Sequence, residues 1–207
     1  MKSALSFFVV LPLVALTACS SVQYDDPDKV ETLTIDFGST DLQTMASDMV
    51  TSLNTAPGLA YLDKPGADKR IIMYVGAVNN RTSEHIDTQG ITDAIRVSLQ
   101  QGGRFRFVAG EQAQAEIGDQ VRFQQGSGRV DPTQARAFGK QVGAEVVLTG
   151  TLRSIEKTKG RSIESGGAKK EDVYYQFVLE CVNIDTGEII WSNIKEVRKT
   201  QSRSVFG

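Results

Sequence analysis

The chemistry open to this 207-residue chain is narrow, because it holds two cysteines, Cys19 and Cys181, and a single histidine, His85. A thiolate can be a nucleophile, a metal ligand or an attachment point, whereas a lone imidazole needs a carboxylate or further ligands to become a base or a metal site. His85 has no such companion in sequence. The sequence shows no metal-spaced His/Cys/Asp/Glu cluster, nucleophile-elbow serine, phosphate-binding glycine loop or HExxH pair. Ser165-Gly166-Gly167 lies among charged residues between two expected strands and reads as a flexible loop. The expectation is a protein with no catalytic residue, no metal and no cofactor. Recognition is better provided for. Val78-Asn79-Asn80-Arg81-Thr82-Ser83 puts polar groups at the mouth of a strand-to-helix connection, where binding groups are commonly displayed. Asn tolerates left-handed backbone, and Arg offers a five-donor fork to carboxylates or carbonyls. Asn79, Asn80, Arg81 and Thr82 are therefore the candidate partner-binding residues. The same stretch also suits a plain turn with Arg81 merely solvated, and both readings stand.

Cys19 closes an apolar run behind Lys2, and the tetrad Leu16-Thr17-Ala18-Cys19 resembles the lipobox of bacterial lipoproteins. The resemblance implies cleavage before Cys19, a diacylglycerol thioether on its sulfur and acylation of the freed amine. At about 0.8 kcal/mol per buried CH₂, three acyl chains anchor a protein lastingly. Ser20, rather than Asp, after the Cys implies the outer membrane, with the chain facing the periplasm. Lys2 is the sole charge in residues 1–18, so the mature chain keeps 22 Lys and Arg against 25 Asp and Glu. That balance is too mild to propose nucleic acid as a partner. With Cys19 lipidated, Cys181 cannot form an intrachain disulfide. It shares one strand parity with Val173, Tyr175, Phe177 and Leu179 and reads as a buried, inert thiol.

These residues need elements to hold them. Three regions are expected: a signal over 1–18, a lipidated short tether over 19–30, and a globular periplasmic domain over 31–207. The tether reaches roughly 40 Å at full stretch. Residues 33–37 alternate weakly, as an edge strand does. Ser39-Thr40-Asp41 opens a helix, with Thr40 and Gln43 at capping-box spacing and a stripe of Leu42, Met45, Met49 and Leu53. Residues 54–68 read as loop, and 71–78 as a central strand covered on both faces. Asn79 to Thr82 leave that strand. A helix over 88–101 turns Ile91, Ala94, Ile95 and Leu99 inward and stops at Gly102. A short strand over 105–108 and a helix over 111–123 follow. Asp131-Pro132 restarts helix, with Ala135, Phe138 and Val142 inward and Gly143 as the stop. The rest is β: a strand over 145–155, a polar loop over 157–171, and strands over 173–184 and 188–197 joined at Asp185-Thr186-Gly187. Trp191 shares parity with Ile189 and Val197, which favours a sheet-face position over a binding anchor. The order predicts an α+β fold: helices packed around a small mixed β-sheet that ends in a β-meander, with one right-handed crossover in the first half.

Taken in order, several segments resemble the LpoB family of outer-membrane lipoproteins that activate bifunctional penicillin-binding proteins. They are the Cys19 lipobox, Val78-Asn79-Asn80-Arg81-Thr82, Gly102-Gly103-Arg104-Phe105, Val142-Gly143-Ala144 and Thr186-Gly187-Glu188-Ile189-Ile190-Trp191-Ser192. The resemblance implies a fold like the amino-terminal domain of TolB. It also implies docking on a non-catalytic domain of a class A penicillin-binding protein, stimulating peptidoglycan synthesis. The best-known members carry a long proline-rich tether; here it is short, with Pro27 alone. An alternative from another class is a structural lipoprotein of an envelope secretion or appendage-assembly machine of the curli-transport kind, which the short tether suits. A periplasmic enzyme is disfavoured by the empty catalytic inventory.

Overall fold

Two amphipathic helices bury their stripes against one face of a five-stranded mixed sheet. The computed structural model describes residues 26–31, 34–62, 64, 66–134, 136, 142–160 and 169–203. Cys19, Leu33, Ala135, Phe138, Ser165-Gly166-Gly167 and Val205-Phe206 lie outside the described residues. The order is α1 (Ser39–Asn54), a 3₁₀ turn (Pro57–Tyr61), β1 (Ile71–Arg81), α2 (Thr88–Gln101), β2 (Phe105–Phe107), α3 (Glu111–Gly126), β3 (Val146–Lys159), β4 (Lys169–Asn183) and β5 (Ile189–Arg203). The sheet runs β2-β1-β3-β4-β5. β1 is parallel to β2 and β3, with β2 reached through α2, and β3-β4-β5 is an antiparallel meander. This is the expected α+β class.

The helix stripes behave as their spacing predicts. Met45, Met49 and Leu53 of α1 and Ile91, Ile95 and Leu99 of α2 are fully buried, while Leu42 and Ala94 pack at the edge of the core. They meet Val146, Leu148 and Leu152 of β3 and the predicted face of β4, where Val173, Tyr175, Phe177, Leu179 and Cys181 are all buried. Each such aliphatic or aromatic side chain contributes about 1.5–3 kcal/mol on burial. Asp87 caps α2 by accepting from Gln89 and Gly90 N–H groups, and Gly102 closes it.

Several expectations are corrected. Residues 34–38 form no strand; they run as a strap, because Phe37 N–H is taken by the Glu84 carboxylate (2.9 Å) instead of a ladder carbonyl. The α1 cap uses Asp41, which accepts from Gly38 N–H at 2.9 Å, while Thr40 Oγ1 accepts from Glu31 N–H and Gln43 donates to the Pro27 carbonyl. The 54–68 loop contains a 3₁₀ turn. β1 is buried on both faces only over Ile71, Ile72 and Met73. Residues 132–134 form a turn after Asp131, whose carboxylate takes the Thr133 N–H and hydroxyl, and Val142 is 51% exposed, not inward. The polar 157–171 loop is strand at both of its ends, over 157–159 and 169–171. β3 runs to Lys159 and β4 starts at Lys169, pairing Lys157 with Asp172 and Lys159 with Lys170. Cross-strand pairing extends the ladder there beyond the reach of any apolar alternation.

Two bulges reset side-chain parity. Between Val75 and Val78, β1 advances three residues while β3 advances two, Leu148 to Gly150. Gly76 sits in that insertion, and a Cβ there would lie 3.2 Å from the Leu148 carbonyl oxygen. In β5 the extra residue is Ile190, since Trp191 opposes Cys181 and Ile189 opposes Val182. Trp191 is therefore buried toward the helices, donating its indole N–H to Ser52 Oγ at 3.1 Å, whereas Ile189 is 56% exposed on the opposite face. The shared parity of Ile189 and Trp191 is thus broken. Gly58 lets the 3₁₀ turn close on this bulge: a Cβ would fall 2.0 Å from the Ile190 carbonyl oxygen.

Candidate functional site

Asn79, Asn80 and Arg81 do not leave the strand as predicted; they are its last three residues, paired with Thr151, Leu152 and Arg153 of β3. The β1 bulge keeps the ladder in step with β3 and so extends it. It also sorts the four candidate residues into two groups. Asn80 falls on the register of buried Leu152, on the helix side, and its amide donates to the carbonyls of Glu84 (2.9 Å) and Ile86 (3.4 Å). Its Oδ1 accepts from the Thr82 N–H at 2.9 Å and lies 2.7 Å from the Thr82 hydroxyl. Asn80 and Thr82 thus spend their polar atoms shaping the β1–α2 connection, which Thr88 seals by donating its hydroxyl to the Val78 carbonyl (2.8 Å). Asn79 and Arg81 point the other way, into solvent.

Glu84, which nothing in the sequence singled out, is the centre of that connection. Its carboxylate accepts from Phe37 N–H and from the hydroxyl of fully buried Tyr175. Tyr175 stands edge-on to Phe37, with ring centroids 5.6 Å apart. Burial and then the Glu84 carboxylate hold the Tyr175 phenol well above its usual range, and burial pushes the Cys181 thiol up to about 12. Both groups stay protonated in the fold while the unfolded chain ionises near 9 to 10. Unfolding therefore releases protons in alkali: their contribution is complete below about pH 9 and declines as pH rises above it. The urea midpoint is expected to drop between about pH 8 and pH 10; an unchanged midpoint contradicts this.

The outward face of β3, β4 and β5 is a flat, mixed surface. Ile155, Ile189 and Ile194 are each more than half exposed on it. One cross-strand row carries Arg81, Arg153, Gln176 and Glu196. Glu196 accepts from the Tyr174 hydroxyl and from Gln176 Nε2 (3.2 Å), which holds its carboxyl below the ordinary range and the Tyr174 phenol above it. Arg81 and Arg153 lie directly side by side, and neither has an ion-pair or side-chain hydrogen-bond partner among the described residues. Like charges facing each other across strands are destabilising. Arg153 carries no sequence signal beyond its strand parity. Among the described residues no group of three or more His, Cys, Asp or Glu could hold a metal ion, and no helix is long and apolar enough to cross a membrane.

Fold and surface together define an α+β module with one helix-covered and one outward sheet face, the latter bearing an arginine pair without a counter-charge among the described residues. The chain belongs to the family described as peptidoglycan-synthase activator LpoB, whose model matches residues 41–197. It is similar to the penicillin-binding protein activator LpoB of Cronobacter turicensis, 28% identical over 143 residues, covering 68% of this chain and 56% of that protein. It is likewise 28% identical over 134 residues to the activator of the same name from Klebsiella pneumoniae, covering 63% of this chain and 53% of that one. The chain thus spans about half the length of these curated relatives. The LpoB C-terminal domain from Salmonella enterica superposes with a TM-score of 0.38 at 19% identity, over 75% of this chain and 94% of that domain, too loosely to build on.

Proposed function

We propose that this chain is an outer-membrane lipoprotein, cleaved before Cys19 and anchored through it, whose periplasmic domain docks on a class A penicillin-binding protein and stimulates peptidoglycan synthesis. Family membership supports the activator role. The observation that carries the docking reading is the side-by-side Arg81 and Arg153 on the outward sheet face, without partners among the described residues. Keeping two guanidinium groups together without a counter-ion costs stability, which an acidic patch on a partner offsets through bidentate bonds. Exposed Ile155 and Ile194 on neighbouring rows supply apolar area around that pair. In this reading Asn79 and Arg81 touch the partner, while Asn80 and Thr82 hold the connection in shape. The domain acts by contact and contributes no catalytic group. The detergent-solubilised lipoprotein, added to the class A synthase of its own organism, is expected to accelerate polymerisation of lipid II. An unchanged polymerisation rate overturns the proposal.

A further inference from the structure

The far end of the β3–β4–β5 ribbon carries a second set of cations, apart from the arginine pair. Lys159 and Lys170 are directly opposed across the β3–β4 ladder, and Lys157 lies on the same outward face. All three are exposed, and among the described residues none has an ion-pair or hydrogen-bond partner. Asp172, opposite Lys157, is engaged by Arg198 at 3.4 Å and by the Thr200 hydroxyl at 2.9 Å. Lys169, of opposite parity, is neutralised by Glu171. A directly opposed lysine pair, like the arginines, is a cost the fold alone does not explain.

The position of this end is informative. α1 runs antiparallel to β5, with Asp41 against Lys199, Asp48 against Lys195 and Ser52 against Trp191. The amino-terminal segment is held at the start of α1, where Glu31 accepts from the Ser39 N–H (2.9 Å). Thr34, Ile35 and Asp36 then line one cleft with Lys157, Thr158 and Asp172, and Lys199 Nζ donates to the Asp36 carbonyl at 2.7 Å. The chain therefore enters the domain at the pole that bears the lysines. Seven residues separate Cys19 from Pro27, at most about 30 Å of chain.

We infer that the Lys157, Lys159 and Lys170 end of the ribbon rests on an anionic phospholipid surface, that of the membrane in which the chain is anchored. The inference rests on the Cys19 anchor proposed above. Lysines are flexible point charges, and among the described residues the guanidinium groups at this end, Arg198 and Arg203, are already engaged by Asp172 and Glu171. Such a set selects charge density rather than shape, which suits a plane of headgroups better than a sculpted acidic protein site. Each lysine near an anionic surface is worth about a factor of five in binding, so three favour the docked state about a hundredfold at low salt.

The test uses the full lipidated chain on vesicles of neutral phosphatidylcholine, and on the same lipid with phosphatidylglycerol added. Flotation with neutral vesicles reads the anchor. Amide exchange across residues 157–159 and 169–172 reads the ribbon. Exchange there is expected to slow severalfold on the anionic vesicles alone, to recover at high salt, and to be insensitive to lipid in the K157E/K159E/K170E variant. Equal exchange on both vesicles, slowing that survives in the variant, or slowing produced only by an added acidic protein overturns the inference while leaving the anchor intact. A chain that does not float with neutral vesicles refutes the anchor. In that event, recovery with anionic vesicles still supports the lysine contact, and no recovery overturns it.

Discussion

Arg81→Glu is expected to weaken the docking of this domain on its synthase about thirtyfold, and Arg81→Glu with Arg153→Glu to abolish stimulation of lipid II polymerisation at any practical concentration. A charge-assisted hydrogen bond is worth about 1.5–3 kcal/mol, and reversal adds repulsion from the same acidic group. The two arginines are exposed and unpartnered among the described residues, so their replacement removes no internal contact. Arg81→Glu relieves a like-charge pair and should unfold at the wild-type denaturant concentration or slightly above it, whereas the double variant exchanges one like-charge pair for another and should unfold close to the wild-type concentration. Unaltered affinity with an unaltered fold would show that the partner binds elsewhere. Asn80→Ala gives a contrasting outcome: lost loop hydrogen bonds lower stability, and docking weakens only as far as the β1–α2 connection loosens.

The largest stability effect is expected at Asp41. It is 4% exposed, accepts from the Gly38 N–H as the helix cap and pairs with Lys199, whose side chain is 19% exposed. Lys199 also holds the Asp36 carbonyl, so one ion pair ties α1, β5 and the strap together. Asp41→Ala leaves a mostly buried ammonium without its counter-charge and removes a cap, which together cost about 3–5 kcal/mol. Replacing both partners with apolar residues avoids the orphaned charge, so Asp41→Leu with Lys199→Met should recover about half or more of that loss. Urea unfolding of the single and double variants measures both; a double variant no more stable than Asp41→Ala would falsify the buried-charge account.

What the residues determined locally and what the tertiary structure decided divide along one physical line. The α1 and α2 stripes, the Asp87 cap, the Gly187 turn (φ +73°) and the alternation from Val173 to Cys181 are local, because each depends on spacing within one element. They sufficed for the α+β class and for a buried Cys181. The direction of Asn79 and Arg81 was not local. Uninterrupted alternation from Met73, which faces the helices, would have sent both residues into the core side. The inserted residue near Gly76 turned them outward and put Val78 and Asn80 in their place. The same shift at Ile190 parted Trp191 from Ile189, and pairing across the ribbon turned an apparent polar loop into opposed lysines. A bulge changes no residue's character, only its register with a partner strand, which for β1 lies some 70 positions away, so strand periodicity cannot reveal it.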